Sequence, residues 1–155
     1  MSKKILIIGY GNPGRLDDGL GPAFAEALER MKLENLTVDS NYQLSVEDSA
    51  QVAGHDVVIF ADAAVKGREP FFFKEISPLS AVSFSSHSVD PENLLALAEQ
   101  IFHKIPEGYV LGIRGYEFNE FGEWLSEGAR KNLADAIAYM TPVIKKQTFN
   151  EFIIK

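Results

Sequence analysis

Residues 3–22, KKILIIGYGNPGRLDDGLGP, join an aliphatic run to a glycine-rich loop and the beginning of a helix. The run from Lys3 to Gly9 is continuously apolar after its lysines and ends in glycine, which is typical of a central parallel strand buried on both faces. Pro22 suits a first helical turn, and apolar residues then recur at helical spacing, at Phe24, Ala25, Leu28 and Met31. The opening unit is therefore strand, loop, helix.

The same alternation continues along the chain and predicts an α/β fold. Further strands are predicted at Leu36–Asp39, Val57–Ala61, Phe71–Ile76 and Tyr109–Tyr116. Helices are predicted after capping signals at Ser45, Asp90 and Ser126, and Pro142 is expected to kink or end the last helix. We expect one domain over 1–155: a three-layer sandwich with a central, mostly parallel, five-stranded twisted sheet and helices on both faces. Residues 145–155 are expected to form a helical or frayed tail.

Composition excludes several classes of protein. The chain has 155 residues, of which 46% are hydrophobic and 24% charged, as in an ordinary globular domain. Its net charge of −7 disfavours nucleic acid as a partner, and no apolar run approaches the ~20 residues that cross a bilayer. The apolar run after Lys4 is too short for a signal peptide, so we expect a cytoplasmic protein, and a monomer is the default expectation for its oligomeric state. The absence of cysteine removes disulfides, thiolate metal sites and a cysteine nucleophile.

Candidate functional residues lie where the predicted strands end, because ligands of open α/β sheets bind beyond the carboxyl ends of the strands. Asp18 belongs to the loop after the first strand, Asp62 directly follows the third, and His87 precedes the helix at Asp90. Each has a structural alternative: Asp18 as a turn former, Asp62 as a cap or loop acceptor, and His87 as a hydrogen-bonded loop histidine. Together, two carboxylates and one imidazole could bind a borderline divalent ion such as nickel or zinc.

The glycine spacing of this loop also permits a different function. Gly9, Gly11 and Gly14 match the dinucleotide-binding pattern after a strand, with Asp39 as the possible ribose ligand. In that fold, however, the helix begins within the glycine motif, whereas this loop is expected to run on to Pro22. The acidic pair at Asp17 and Asp18 would also repel phosphates. A small dinucleotide-binding oxidoreductase therefore stays open as the less favoured alternative.

At these positions the sequence resembles the [NiFe]-hydrogenase maturation endopeptidases. The resemblance rests on residues 11–21, GNPGRLDDGLG, on Asp62 at a strand end and on His87 before a helix, and it extends over most of the chain. Gln43 and Glu47 are similar to a secondary stretch near the cleft of the family, although Tyr42 stands where many relatives have histidine.

The resemblance implies that the chain removes a C-terminal extension from the large-subunit precursor of a [NiFe] hydrogenase after nickel insertion. It assigns metal contact to Asp18, Asp62 and His87, with nickel contributed by the precursor and no organic cofactor. Asp18 or Asp62 would then act as the general base. A module that senses nickel and assists assembly without cutting the precursor is the other alternative.

Overall fold

The computed structural model describes residues 2–78 and 89–154. In this part of the chain one sheet contains five strands in the order β2-β1-β3-β5-β4. Their bounds are β1 Ile5–Tyr10, β2 Leu36–Asn41, β3 Val57–Ala64, β4 Phe71–Ile76 and β5 Glu107–Arg114. Only the edge strand β4 runs antiparallel to its neighbour, so the described sheet is mostly parallel, as predicted.

The interior strand β1 shows why the sheet is covered on both sides. Ile5 and Ile7 contribute to one fully buried apolar cluster, whereas Leu6 and Ile8 contribute to a second cluster on the opposite face. A strand buried on both faces has no polar face, which explains the continuous aliphatic run in the sequence.

Helices cover both faces of the sheet. Within the described residues they are α1 Leu20–Arg30, α2 Asp48–Ala53, α3 Pro91–Phe102 and α4 Glu127–Lys146. Helices α1 and α4 pack in the first cluster through residues such as Phe24 and Met140. Helices α2 and α3 pack in the second through Val52 and Leu94. The three-layer α/β sandwich predicted from the sequence is confirmed.

Several predicted boundaries differ from the structure. Helix α1 begins at Leu20 rather than Pro22, and a 3₁₀ turn over Leu16–Gly19 precedes it. Strand β3 continues to Ala64, so that Asp62 lies within the strand rather than after it. The predicted end of strand five at Tyr116 is also too late, because β5 ends at Arg114.

Pro142 does not end the last helix. Proline lacks the N–H that would bond to the carbonyl one turn earlier, yet α4 continues past it to Lys146. Val143 and Ile144, which follow the proline, are buried in the core. Packing of this last turn therefore outweighs the lost hydrogen bond.

The chain after α4 stays close to the sheet. A 3₁₀ turn spans Phe149–Phe152, and the Phe149 side chain stacks on the ring of Tyr109 with centroids 5.6 Å apart. Ile154 then pairs with Phe73 at the sheet edge. None of the helices in residues 2–78 and 89–154 combines the length and hydropathy that crossing a bilayer requires.

Candidate active site

The carboxyl ends of β1 and β3 bring Tyr10 and Asp62 together. Gly9 of β1 is paired with Ala61 of β3, so the next residue of each strand, Tyr10 and Asp62, lies abreast at the sheet edge. The Tyr10 hydroxyl hydrogen-bonds to the Asp62 carboxylate. Asp62 Oδ1 also accepts a hydrogen bond of 2.8 Å from the backbone N–H of Ala63.

Asp18 reaches the same place because the loop after β1 folds tightly. Its Oδ2 atom accepts a 2.7 Å hydrogen bond from the backbone N–H of Asn12. Gly11 has a φ of +138°, and a Cβ on it would lie 2.1 Å from the Asp18 carbonyl oxygen. Only glycine tolerates both this conformation and this contact.

The first turn of α1 also approaches the strand ends closely. A Cβ on Gly21 would lie 2.4 Å from the carbonyl oxygen of Tyr10 and 2.5 Å from that of Ala61. A larger residue would push the helix away from β1 and β3. Gly11 and Gly21 therefore fix the position of Asp18 relative to Asp62.

The environment of Asp62 changes its acidity. The pKa of Asp62 is raised from 3.8 to about 6, mainly by burial and also by the nearby charge of Asp18, although hydrogen bonds from Ala63 and Tyr10 lower it in part. Burial and the Asp62 charge also raise the pKa of the Tyr10 hydroxyl, which stays protonated as a donor. A carboxyl group with a pKa near neutrality can take up a proton in a reaction.

Asp17, which precedes Asp18, has a different role. Its side chain is fully buried and accepts hydrogen bonds from the backbone N–H groups of Tyr116, Glu117 and Ser126 and from the Ser126 hydroxyl, at 2.7–3.0 Å. Burial alone would raise the pKa of Asp17, but these hydrogen bonds outweigh it and hold the pKa below 3.8. Asp17 thus ties the first loop to the segment between β5 and α4.

The structure therefore places two of the three predicted metal ligands, Asp18 and Asp62, close enough for the charge of Asp18 to raise the pKa of Asp62. His87, the third, lies outside the described residues. Within residues 2–78 and 89–154, no group of three or more histidine, cysteine, aspartate or glutamate side chains is placed to hold a metal. Two carboxylates supply oxygen donors and leave the remaining positions of a divalent ion to other ligands.

A relative that matches over nearly the whole of both chains shows the family. The chain is 30% identical over 151 residues to a Methanocaldococcus jannaschii protein provisionally named as a hydrogenase maturation protease, and the match covers 93% of this chain and 98% of the relative. The chain belongs to the [NiFe]-hydrogenase maturation endopeptidase family. It is thereby classed among the peptidases.

Further comparisons found a second relative and a solved structure of similar fold. The hydrogenase expression/formation protein HupD of Thiocapsa roseopersicina is 27% identical over 147 residues, a match that covers 86% of this chain. The chain spans 64% of the length of HupD. The fold is similar to that of the Escherichia coli hydrogenase maturating endopeptidase HybD, with a TM-score of 0.72, 19% identity and 93% of each chain covered. No protein-family model matches the chain.

The glycine loop of this family member is explained by packing. A Cβ on Gly9 would lie 2.2 Å from the carbonyl oxygen of Gly21, and one on Gly11 would lie 2.1 Å from that of Asp18. Asp39, the ribose ligand of the dinucleotide alternative, accepts hydrogen bonds from the backbone N–H of Ser40 at 2.9 Å and from Asn41 Nδ2 at 3.3 Å. These local contacts account for the motif without a nucleotide.

Tyr10 is the site residue that sequence reasoning missed. Tyr10 lies between two glycines of the motif and does not itself belong to the motif pattern. Its partner Asp62 is far away in sequence. The available signal was its position as the last residue of β1, abreast of Asp62. Near the site, Tyr42, Gln43 and Glu47 are exposed while Leu44 is buried. The likeness of Gln43 and Glu47 to a stretch near the cleft of the family stays a prediction.

Proposed function

We propose that this chain is an endopeptidase that removes a C-terminal extension from the nickel-loaded large-subunit precursor of a [NiFe] hydrogenase, with the nickel of the substrate as recognition element. The observation that carries this proposal is the proximity of Asp18 to Asp62, where burial, together with the charge of Asp18, raises the pKa of Asp62 to about 6. One group of such a pair can bind a cation while the other accepts a proton.

The donor set suits a metal that arrives with the substrate. The chain has no cysteine, so thiolate ligands to nickel would come from the precursor. Asp18 and Asp62 would add carboxylate oxygens, and His87 would add an imidazole nitrogen. Nickel held in this way supplies Lewis-acid polarisation of a carbonyl group or a water molecule.

The remaining chemistry belongs to the side chains. Asp18 or Asp62 takes up a proton from the attacking water as general base. The Tyr10 hydroxyl and the Ala63 N–H hold the Asp62 carboxylate in one orientation. A metal contact that holds the scissile peptide in one orientation would lower the entropic part of the activation barrier.

The test is incubation of the purified protein with a matched hydrogenase precursor, with and without inserted nickel, followed by intact mass of the precursor. We expect loss of a C-terminal peptide only from the nickel-loaded sample. Asp62→Asn should abolish this cleavage, whereas Asp135→Asn, an exposed carboxylate on α4, should cleave at the normal rate.

Two outcomes would contradict the proposal. Cleavage by Asp62→Asn at the normal rate would remove Asp62 from the mechanism. No mass change, with a matched and demonstrably nickel-loaded precursor, would favour the non-catalytic assembly module instead.

A further inference from the structure

A groove runs over the surface next to the carboxylate pair. Its larger part, of about 580 Å³, lies between the first turns of α1, the end of β2 and residues 123–125. A second depression of about 290 Å³ reaches Gly11 and Tyr42. The two share Pro13, Pro22 and Ser40, so they form one continuous groove. Gly11, Pro13, Leu16 and Gly19 line the groove, so it runs along the loop that carries Asp18.

The surface of the groove is apolar in its middle and aromatic at one end. Pro13, Leu16, Pro22 and Val38 line it. Trp124 is 64% exposed at its end, and Phe121, close by in the chain, is 84% exposed. Aromatic side chains exposed to this degree are costly in water and are typical of surfaces that bind another chain.

The rim of the groove is acidic. Glu26, Glu29, Asp39 and Glu123 line it, and no lysine or arginine does so in the described part of the chain. Glu26 pairs with Arg30 at 3.3 Å, but the other three make no ion pair within residues 2–78 and 89–154. An apolar groove lined also by acidic residues that make no ion pair in that part of the chain is complementary to an apolar residue with cationic neighbours.

We propose that this groove binds a segment of the precursor, adjacent to the scissile bond, in which lysine or arginine side chains flank an apolar residue. The apolar residue packs against Trp124 and Leu16, and the cations face Glu29 and Glu123. This proposal rests on the proposed function, because the groove runs along the loop that carries Asp18. It adds a specificity determinant that does not depend on the metal.

Trp124 makes the groove directly observable, since the chain contains a single tryptophan. The experiment is a fluorescence titration of the full-length protein with a nickel-free synthetic peptide that has an Arg-Leu-Arg core. The comparison peptide replaces each arginine with glutamate. We expect a blue shift of the Trp124 emission with the cationic peptide only, and binding that weakens as salt is added.

Charge reversal supplies the matched variants. The double variant Glu29→Lys with Glu123→Lys should weaken binding of the cationic peptide by ~10-fold or more at low salt, because rim charges govern association. Glu99→Lys, an exposed acid on α3 outside the groove, is the control and should bind normally. Equal binding of both peptides, or normal binding by the folded double variant, would overturn the proposal.

Cleavage assays separate this proposal from the proposed function. With the nickel-loaded precursor, the double variant should raise KM and leave kcat unchanged. Normal KM together with normal cleavage would overturn the groove proposal alone. If wild-type protein does not cleave the precursor, the function fails, and the peptide titration still decides whether the groove binds a cationic segment.

Discussion

Asp17 and Asp62 are carboxylates at the same edge of the sheet, and their surroundings differ in the number of donors. Asp17 accepts four hydrogen bonds, from three backbone N–H groups and the Ser126 hydroxyl. Asp62 has the N–H of Ala63 and the Tyr10 hydroxyl, and it faces the charge of Asp18. The pKa of Asp17 is accordingly lowered, while that of Asp62 is raised to about 6.

The comparison shows that burial alone does not make a carboxyl group reactive. Both side chains lose water, but the donors around Asp17 replace it and those around Asp62 do so only in part. A fully satisfied carboxylate stabilises the fold. A buried carboxylate with too few hydrogen-bond donors lowers the stability of the fold when it is charged, and it can take part in proton transfer.

The largest expected effect is the loss of stability in Asp17→Asn. Asparagine would turn an NH₂ group toward backbone donors, so buried N–H groups would lose their acceptor. We expect the free energy of unfolding to fall by about 3–5 kcal/mol. The free energy of unfolding from urea denaturation measures this. Asp18→Asn is the control: the Asp18 carboxylate accepts one backbone N–H, and the loss should be much smaller. Equal losses for both variants would contradict the comparison.

Asp62→Asn should change stability in the opposite direction at neutral pH. An acid whose pKa is raised on folding stabilises the fold below its ordinary pKa of 3.8 and loses this contribution as pH rises through about 6. The neutral amide does not titrate. The rise to about 6 corresponds to at most about 3 kcal/mol, so metal-free Asp62→Asn should be more stable than wild type above pH 6, by up to that amount.

The measurement is urea denaturation of both metal-free proteins from pH 4 to pH 8. The stability difference should be small near pH 4 and grow toward pH 7. A difference that is constant with pH would show that Asp62 titrates at its ordinary pKa, and the contrast with Asp17 would then be lost.

Ser126→Ala should give an intermediate loss. The hydroxyl donates to Asp17 at 2.7 Å and accepts from the N–H of Ala129 at 3.2 Å as the N-cap of α4. Removing both contacts should cost about 1–2 kcal/mol in the free energy of unfolding. Ser126→Thr retains the hydroxyl and should recover most of the stability; no recovery would argue against the hydroxyl as the cause.

The fold could be predicted because its signals are local. The aliphatic run of β1 and the cap at Ser126 each depend on neighbouring residues, and both are confirmed. The continuation of α4 past Pro142 could not be predicted, because it depends on core packing by Val143 and Ile144. Tertiary burial there outweighs the local propensity of proline.

The site was only partly accessible to sequence reasoning. Asp18 and Asp62 follow from the rule that strand ends meet at one edge, and the structure places them together. Two adjacent aspartates look alike in the sequence, so the structural role of Asp17 and the site role of Asp18 could not be told apart from the residues alone. It depends on Tyr116 and Ser126, which are distant in sequence and fold back onto Asp17.

Tyr10→Phe should have the smallest effect and tests the Asp62 side of the comparison most finely. The Tyr10 hydrogen bond lowers the pKa of Asp62, and phenylalanine removes the hydroxyl while the ring continues to exclude water. The pKa of Asp62 should therefore rise above about 6, as measured by carboxyl ¹³C NMR titration of the metal-free protein. The acid limb of the cleavage rate should move to higher pH with it.

Tyr42→Phe is the matched control, because the Tyr42 side chain is 73% exposed and should not alter this titration. An unchanged pKa in Tyr10→Phe would mean that the hydroxyl does not hold the charged form of Asp62. The raised pKa would then come from burial and Asp18 alone, and Tyr10 would be a packing residue of the second cluster. If the pKa of Asp62 shifts in Tyr10→Phe but not in Tyr42→Phe, the Tyr10 hydroxyl adjusts the acidity of Asp62. The four donors around Asp17, in contrast, keep that carboxylate charged.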